Sequence, residues 1–411
     1  MFRRKKMSFF KKAALSSAAV LAALSLSACS KSSSSSSSTA DKKASLTLWV
    51  DTQQVSYYKD IAKDFHKKYP NITVKVTQSP NGSANAKTDV GKDASKAADV
   101  FEVPNDQLGQ MANAGYINPL SPSDTANIKK NYVSQAYKGV TWKGKVYAYP
   151  YAQQADTIYY NKSKLSANDV KDWDTLTSKG VLATDFTNAY TMWPIFFSAG
   201  TTLYGENGES LKGSTFNSQN GVNALTWIAK QKSNKGVMQT SNALNQLNKG
   251  NADAIMDGPW DAANIKKILG KNFAVAKYPT VTVGGKKKQL EAFLGIEGFA
   301  INSHTSNAKA ASELAAYITN KKSQLIAHEK AGQIPVLKSA VNSSAVQNDP
   351  VAKYVIEMAQ PGNSVLQPKL PQMATFWDGA APLISGTYDG KIKPSQYKAQ
   401  LAKFSKKISQ K

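Results

Sequence analysis

Three tryptophans sit at points where the chain turns, and these side chains are the best placed to do chemistry. Trp260 lies in Asp257-Gly258-Pro259-Trp260, where Gly-Pro breaks the chain just before a helix starting near Asp261. Trp193 sits in Tyr190-Thr191-Met192-Trp193-Pro194, and Trp377 follows Pro371-Gln372-Met373-Ala374-Thr375-Phe376. An indole at a strand end or helix start lines a cleft, and its flat apolar face matches the C–H face of a pyranose. Stacking of this kind, with amides and carboxylates bonding the hydroxyls at the rim, holds a sugar without covalent chemistry. A single tryptophan is more often core. Three in loop-rich segments shift the balance toward a binding cleft.

Catalytic signatures are scarce. The chain has no Gly-rich phosphate loop, no His-Glu-x-x-His and no Gly-x-Ser-x-Gly. His66, His304 and His328 lack a carboxylate at ligand spacing and read as surface or cap residues. The acid pairs Glu206/Glu209 and Glu291/Glu297 lie in Gly-rich or Lys-rich segments and read as solvated loop charges. A glycoside hydrolase needs two carboxylates facing one cleft about 5 to 10 Å apart. No such pair can be nominated. A wall-binding adhesin would show repeats, and none of fixed period occurs. No cofactor or metal is expected, and with one cysteine neither a disulfide nor a thiolate cluster can form.

That cysteine, Cys29, closes a leader. Arg3, Arg4, Lys5, Lys6, Lys11 and Lys12 precede a stretch, Ala13 to Ala28, that is apolar apart from a few serines. A membrane span needs about 20 strongly apolar residues, so residues 1–28 read instead as an export signal with a small-residue cleavage site. Leu26-Ser27-Ala28-Cys29 resembles a bacterial lipobox. That resemblance implies cleavage before Cys29, acylation of its thiol, and a chain anchored on the outer face of the cytoplasmic membrane. The run Ser32 to Ser38 and the polar residues after it make 29–44 a flexible tether.

Formal charge is +24, and removing the six leader cations leaves about +18. The lysines are scattered and no nucleic-acid motif accompanies them, so nucleic acid is excluded as a partner. The polyanionic cell envelope or lipid head groups fit better.

The body behind the tether is long enough for two domains. Leu46 to Val50 reads as a strand, and Tyr58, Ile61, Ala62, Phe65 and Tyr69 as one helix face that Pro70 ends. Ile72, Val74 and Val76 alternate as a second strand, and Ala98 to Val103 form a third. Asn105 is expected to cap the next helix and Gly115 to end it. Trp142 to Tyr147 reads as a hairpin turning at Lys143-Gly144. Asp156 to Tyr160, Ala252 to Met256 and Gly298 to Ile301 are further strands. Helices are expected over Lys162–Lys179, Gly221–Lys230, whose Trp227 should be core, and Ala308–Thr319. Alternation of strands and helices predicts a largely parallel sheet covered by helices.

These segments are similar to the solute-binding lipoproteins of bacterial ABC importers, in particular the maltose/maltodextrin-binding branch. The residues carrying the resemblance include Leu46 to Val50, Ala98 to Ser121, Trp142 to Pro150 and Tyr159-Tyr160-Asn161-Lys162. It continues through Tyr190 to Pro194, Gly258-Pro259-Trp260 and Leu370-Pro371-Gln372-Met373. The resemblance implies an α/β, two-lobe periplasmic-binding-protein-like fold (type II), each lobe a mostly parallel sheet flanked by helices, with a hinged cleft that closes on ligand. Crossings are expected near Ala152, Phe299 and Ser344, which gives an N-terminal lobe of 45–152 and 299–344 and a C-terminal lobe of 153–298 and 345–411.

Position by position, the resemblance makes Asp106 a carboxylate for sugar hydroxyls. It makes Tyr190, Trp260 and Trp377 stacking aromatics with Trp193 beside them, and aligns Asp51 and Gln53 loosely with the first loop of the pocket. Gln107 replaces an arginine, Gln154 and Asn188 replace carboxylates, and Ala262 and Ala381 replace a tryptophan and an arginine. Gln154 is kept as a ligand residue, because amides still bond hydroxyls, although neutral pairs are weaker. The implied function is capture of maltose or maltodextrin by a monomer that hands it to the permease subunits of an importer. Another oligosaccharide and a lipid-anchored glycoside hydrolase are the alternatives.

Overall fold

A computed structural model describes residues 43–410. The export signal, Cys29 and most of the serine-rich tether lie outside the described residues.

Strand β1 (Ala44–Val50) buries Leu46, Leu48 and Val50 and turns the residues between them outward, the period-two pattern of a strand. Helix α1 (Val55–Lys68) buries Tyr57, Tyr58, Ile61, Ala62 and Phe65 along one stripe and stops before Pro70. It leads to β2 (Ile72–Gln78), parallel to β1. Helix α2 (Ala86–Lys92) precedes β3 (Val100–Pro104), which lies parallel to β1 on its other side. Helix α3 (Asn105–Asn113) follows at once, with Pro104 rather than Asn105 in the capping position. The Asn105 amide instead ties chain segments together: it donates to the Gln367 carbonyl at 2.8 Å and accepts from Ile296 N–H at 3.0 Å. Gly115, at φ +72°, ends this stretch as expected.

The next strands, β4 (Thr141–Trp142) and β5 (Lys145–Val146), form the expected hairpin. Its turn places Lys143 and Gly144 at φ 46° and 77°, the double positive φ that a tight hairpin requires. Strand β6 (Ala148–Gln154) then joins the larger sheet, whereas β7 (Thr157–Asn161), only Ala155-Asp156 later, belongs to the smaller one. The smaller sheet adds β8 (Leu182–Thr184), β9 (Val237–Gln239), β10 (Ala254–Asp257) and β11 (Phe273–Ala276), in the order β11-β7-β10-β8-β9. A ribbon of β12 (Thr280–Val283) and β13 (Lys286–Gln289) leads to β14 (Ala292–Ile301), which returns to the larger sheet. From Gly295 onward β14 pairs with β6, so the chain has crossed ahead of the point expected near Phe299. With β15 (Ile334–Pro335) and β16 (Ser364–Leu366) the larger sheet has seven strands, in the order β15-β6-β14-β3-β1-β2, with β16 on β14. Past Ser344 the helix Pro350–Met358 packs on β7 and β11.

The fold is therefore α/β in two lobes, one on each sheet. The sheets are mixed rather than mostly parallel. Pairs joined by helical crossovers within a lobe, such as β1–β2 and β8–β9, are parallel. Pairs made by strands arriving from the other lobe, such as β14 on β3 and β6, are antiparallel because no crossover helix reverses the chain. The segment Lys162–Lys179 is helical only at Asp169–Lys171 and Trp173–Lys179. Trp173 packs edge-on against the buried Trp227 at 4.8 Å.

Candidate ligand cleft

A cleft of about 1050 Å³ lies where strands of both sheets end, at the upper end of the size usual for ligand pockets. From the larger-sheet lobe it is lined by Asp51, Gln53, Gln54, Glu102, Asp106, Gln154 and Glu297. From the other lobe come Asn188, Tyr190, Trp260 and Trp377. The segment after β1 carries Asp51 and Gln53, and the first turn of α3 carries Asp106. Trp260 follows β10 in a one-turn 3₁₀ helix, and Trp377 sits on the helix Met373–Tyr388.

Tyr190 stands at the centre of the aromatic wall. Its ring is stacked on Phe293 at 5.7 Å and lies 6.1 Å from Trp260 and 6.5 Å from Trp377. Trp260 is 47% exposed, the one large hydrophobic side chain left exposed among the described residues. Gly258 explains the position of this indole. A Cβ there would come within 2.2 Å of the Trp260 ring, although the Gly258 backbone, at φ −93° and ψ 177°, would suit any residue. Glycine is needed for close approach of the ring, not for its dihedral freedom.

The polar side of the cleft is acidic and mostly fixed in place. Asp51 accepts from the Ser83 N–H at 2.6 Å and the Ser83 hydroxyl at 2.9 Å. Asp106 accepts from the Trp377 indole N–H at 3.0 Å, a bond that joins the two lobes. Burial pushes the Asp106 carboxyl up, and the Trp377 bond pulls it back in part. Gln154 donates through Nε2 to Glu297 Oε1 at 2.7 Å. Glu102 accepts from Gln54 Nε2 at 3.2 Å and from the Tyr151 hydroxyl.

The structure thus brings together Asp51, Gln53, Asp106, Gln154, Tyr190, Trp260 and Trp377, and leaves out Trp193. That indole is fully buried, stacked on Phe196 at 4.1 Å and edge-on to Phe376 at 4.8 Å. Tyr190 takes the cleft side of this segment, while Trp193 fills the layer between the helices Pro194–Ser198 and Met373–Tyr388.

Sequence reasoning missed Glu102 and Glu297. Glu297 is no solvated loop acid: it is 6% exposed, within a strand whose ten residues are all buried. The available signal was an acid inside an apolar run, as in Gly295-Ile296-Glu297-Gly298-Phe299 and Val100-Phe101-Glu102-Val103. Glu209 is engaged by the buried Lys369 at 3.1 Å. None of the histidines lines the cleft. His328 has a carboxylate that its spacing did not suggest, Asp349, 3.6 Å from Nε2.

Residues 60–353 match the family described as bacterial extracellular solute-binding protein. The chain belongs to that family. It is therefore a binding protein and not an enzyme. The maltodextrin binding protein MalE1 from L. casei BL23, solved without ligand, is 66% identical, with a TM-score of 0.87 over 90% of this chain and 100% of that one. The maltooligosaccharide ABC transporter solute-binding lipoprotein of Streptococcus pneumoniae is 28% identical over 392 residues, 86% of this chain and 89% of the relative. A galactooligosaccharide-binding protein of Bacillus subtilis is 24% identical over 389 residues, 90% of each chain. No helix among the described residues is long and apolar enough to cross a membrane.

Proposed function

We propose that this chain captures maltose or maltodextrin in the interlobe cleft and delivers it to the permease of an ABC importer. The observation that carries the reading is the half-exposed Trp260 beside Tyr190, with Trp377 on the same aromatic wall, in a cleft rimmed by carboxylates and amides. A half-open indole set in a cleft beside a second ring is a surface for a ligand to cover, and a pyranose face matches its shape and polarity. The high identity to MalE1 supports a glucan in particular.

In this reading Trp260, Trp377 and Tyr190 stack on the sugar rings, and Asp106, Gln154, Asp51 and Gln53 bond the hydroxyls. The lobes close by hinge motion of the strands that run between them, β6–β7 and β13–β14. The protein acts as a monomer, held on the outer face of the cytoplasmic membrane by lipid on Cys29. The relative in B. subtilis keeps another oligosaccharide as the second reading.

Titrating the tryptophan fluorescence with maltotriose, and separately with a galacto-oligosaccharide, tests the proposal. A saturable change at lower maltotriose concentration supports it. Saturation by the galacto-oligosaccharide alone moves the chain to the second reading.

A further inference from the structure

On the polar side of the cleft lies a carboxyl pair to which the saccharide reading assigns no role. Phe299 on β14 pairs opposite Glu102 on β3, so Glu297, two residues along β14, is a diagonal neighbour of Glu102 on the same face. Both residues border the cleft, and both are buried, at 2% and 6% exposed. One oxygen of each is bonded, Glu102 Oε1 by Tyr151 and Gln54, and Glu297 Oε1 by Gln154. The other, Oε2, has no partner in either. The titratable groups acting on the pair are Asp51, Asp106, Tyr57, Tyr58, Tyr151 and Tyr190. None is a cation, and Lys87 at the rim acts on Asp106. Two neighbouring buried carboxylates without a counter-charge resist double ionisation.

We propose that Glu102 and Glu297 are a proton-holding pair and that Glu297 is a positioning residue for Gln154, so that saccharide affinity depends on the pair retaining a proton. The inference rests on the saccharide reading of the cleft. With Nε2 held by Glu297, the Gln154 amide keeps Oε1 as an acceptor for a sugar hydroxyl. Gln154 ends β6 just before the chain crosses between lobes, and Glu297 lies on the strand that returns. A second negative charge therefore appears at the hinge strands themselves. Burial, and after it Asp51, pushes Glu102 up to about 8, and burial followed by Glu102 raises Glu297. In that region of pH the closed, ligand-bound cleft excludes the water that would solvate the second charge, and binding takes up a proton.

The test is calorimetry of the full chain with maltotriose from pH 6 to 9.5, in buffers of different ionisation enthalpy. Affinity is expected to be level near pH 6 and to fall by up to about tenfold per pH unit above the titration, with proton uptake on binding in the same range. Glu297→Gln, which still offers Gln154 an acceptor, should flatten the profile whatever its affinity at pH 6. Glu297→Ala should weaken binding at every pH, and Glu102→Gln should flatten the profile as well. Melting curves at each pH confirm that the variants are folded, and the proton-uptake measurement needs no variant. Binding by the unaltered chain with a flat profile and no proton uptake overturns this inference alone, as does an unchanged slope in both glutamine variants. No binding at any pH overturns the saccharide reading and this inference with it.

Discussion

Replacing Trp260 with alanine separates a binding role from a packing role. The indole is 47% exposed, which leaves about 120 Å² of the ~250 Å² that a large aromatic presents open to a ligand. A pyranose covering half to all of that surface removes about 60–120 Å² from water, worth about 1.5–3 kcal/mol. Trp260→Ala should therefore raise the Kd for maltotriose by about ten- to 150-fold. The shielded half of the ring also contributes to folding, but water fills the space left at a cleft surface, so stability should fall by no more than about 1–1.5 kcal/mol. Trp193→Ala should behave in the opposite way. Its indole is fully buried among Phe196, Phe216 and Phe376, and the cavity should cost about 3–5 kcal/mol of stability. Calorimetric binding and denaturant unfolding on the same two variants decide the matter. A Trp260→Ala protein with Kd within about twofold of the original, or a Trp193→Ala protein of normal stability and lost affinity, would reverse these two assignments.

Gly258→Ala should weaken maltotriose binding by on the order of 1 kcal/mol, because the added Cβ would meet the Trp260 ring at 2.2 Å and push it aside; fluorescence titration reads the change. Asp172 is raised by partial burial but lowered further by Lys287, Thr175 and Thr280, to about 2 against an ordinary 3.8. A depressed folded value stabilises above the ordinary value and loses that stability as pH falls through about 2. The stability deficit of Lys287→Met, about 0.5–1 kcal/mol at pH 5 for so exposed a lysine, should shrink toward zero in urea melts as pH falls through about 2. Cys29→Ala should release the protein from membranes or stall its processing, and normal membrane retention with labelled acyl chains would count against the anchor. Maltodextrins incubated with the protein should keep their length distribution, whereas shortened products that vanish on mutating one cleft carboxylate would contradict a purely binding role.

Local chemistry made some of this legible in advance and hid the rest. Lys143-Gly144 identified its hairpin because a two-residue turn demands positive φ at both positions, and Pro70 marked the end of α1 because it cannot donate. Trp260 and Trp193 carry the same signal, an indole beside a proline at a turn, yet one faces the cleft and the other the core. The difference lies in which side of the segment the helices Met373–Tyr388 and Tyr397–Ile408 cover, a tertiary fact with no local trace. The mixed sheets were hidden for a similar reason: strand direction depends on which lobe the chain arrives from, and strand-helix alternation does not encode that. Glu297 was misjudged because its neighbouring lysines suggested a solvated loop, when the apolar residues on both sides of it already described a buried strand.

Saccharide capture in this cleft is tested at atomic level by a crystal structure of the protein grown with maltotriose. A glucosyl ring should lie on the face of Trp260, with further contacts to Tyr190 or Trp377 and hydroxyls bonded to Asp106 or Gln154. An empty cleft at saturating sugar, or sugar seated away from these side chains, would contradict it.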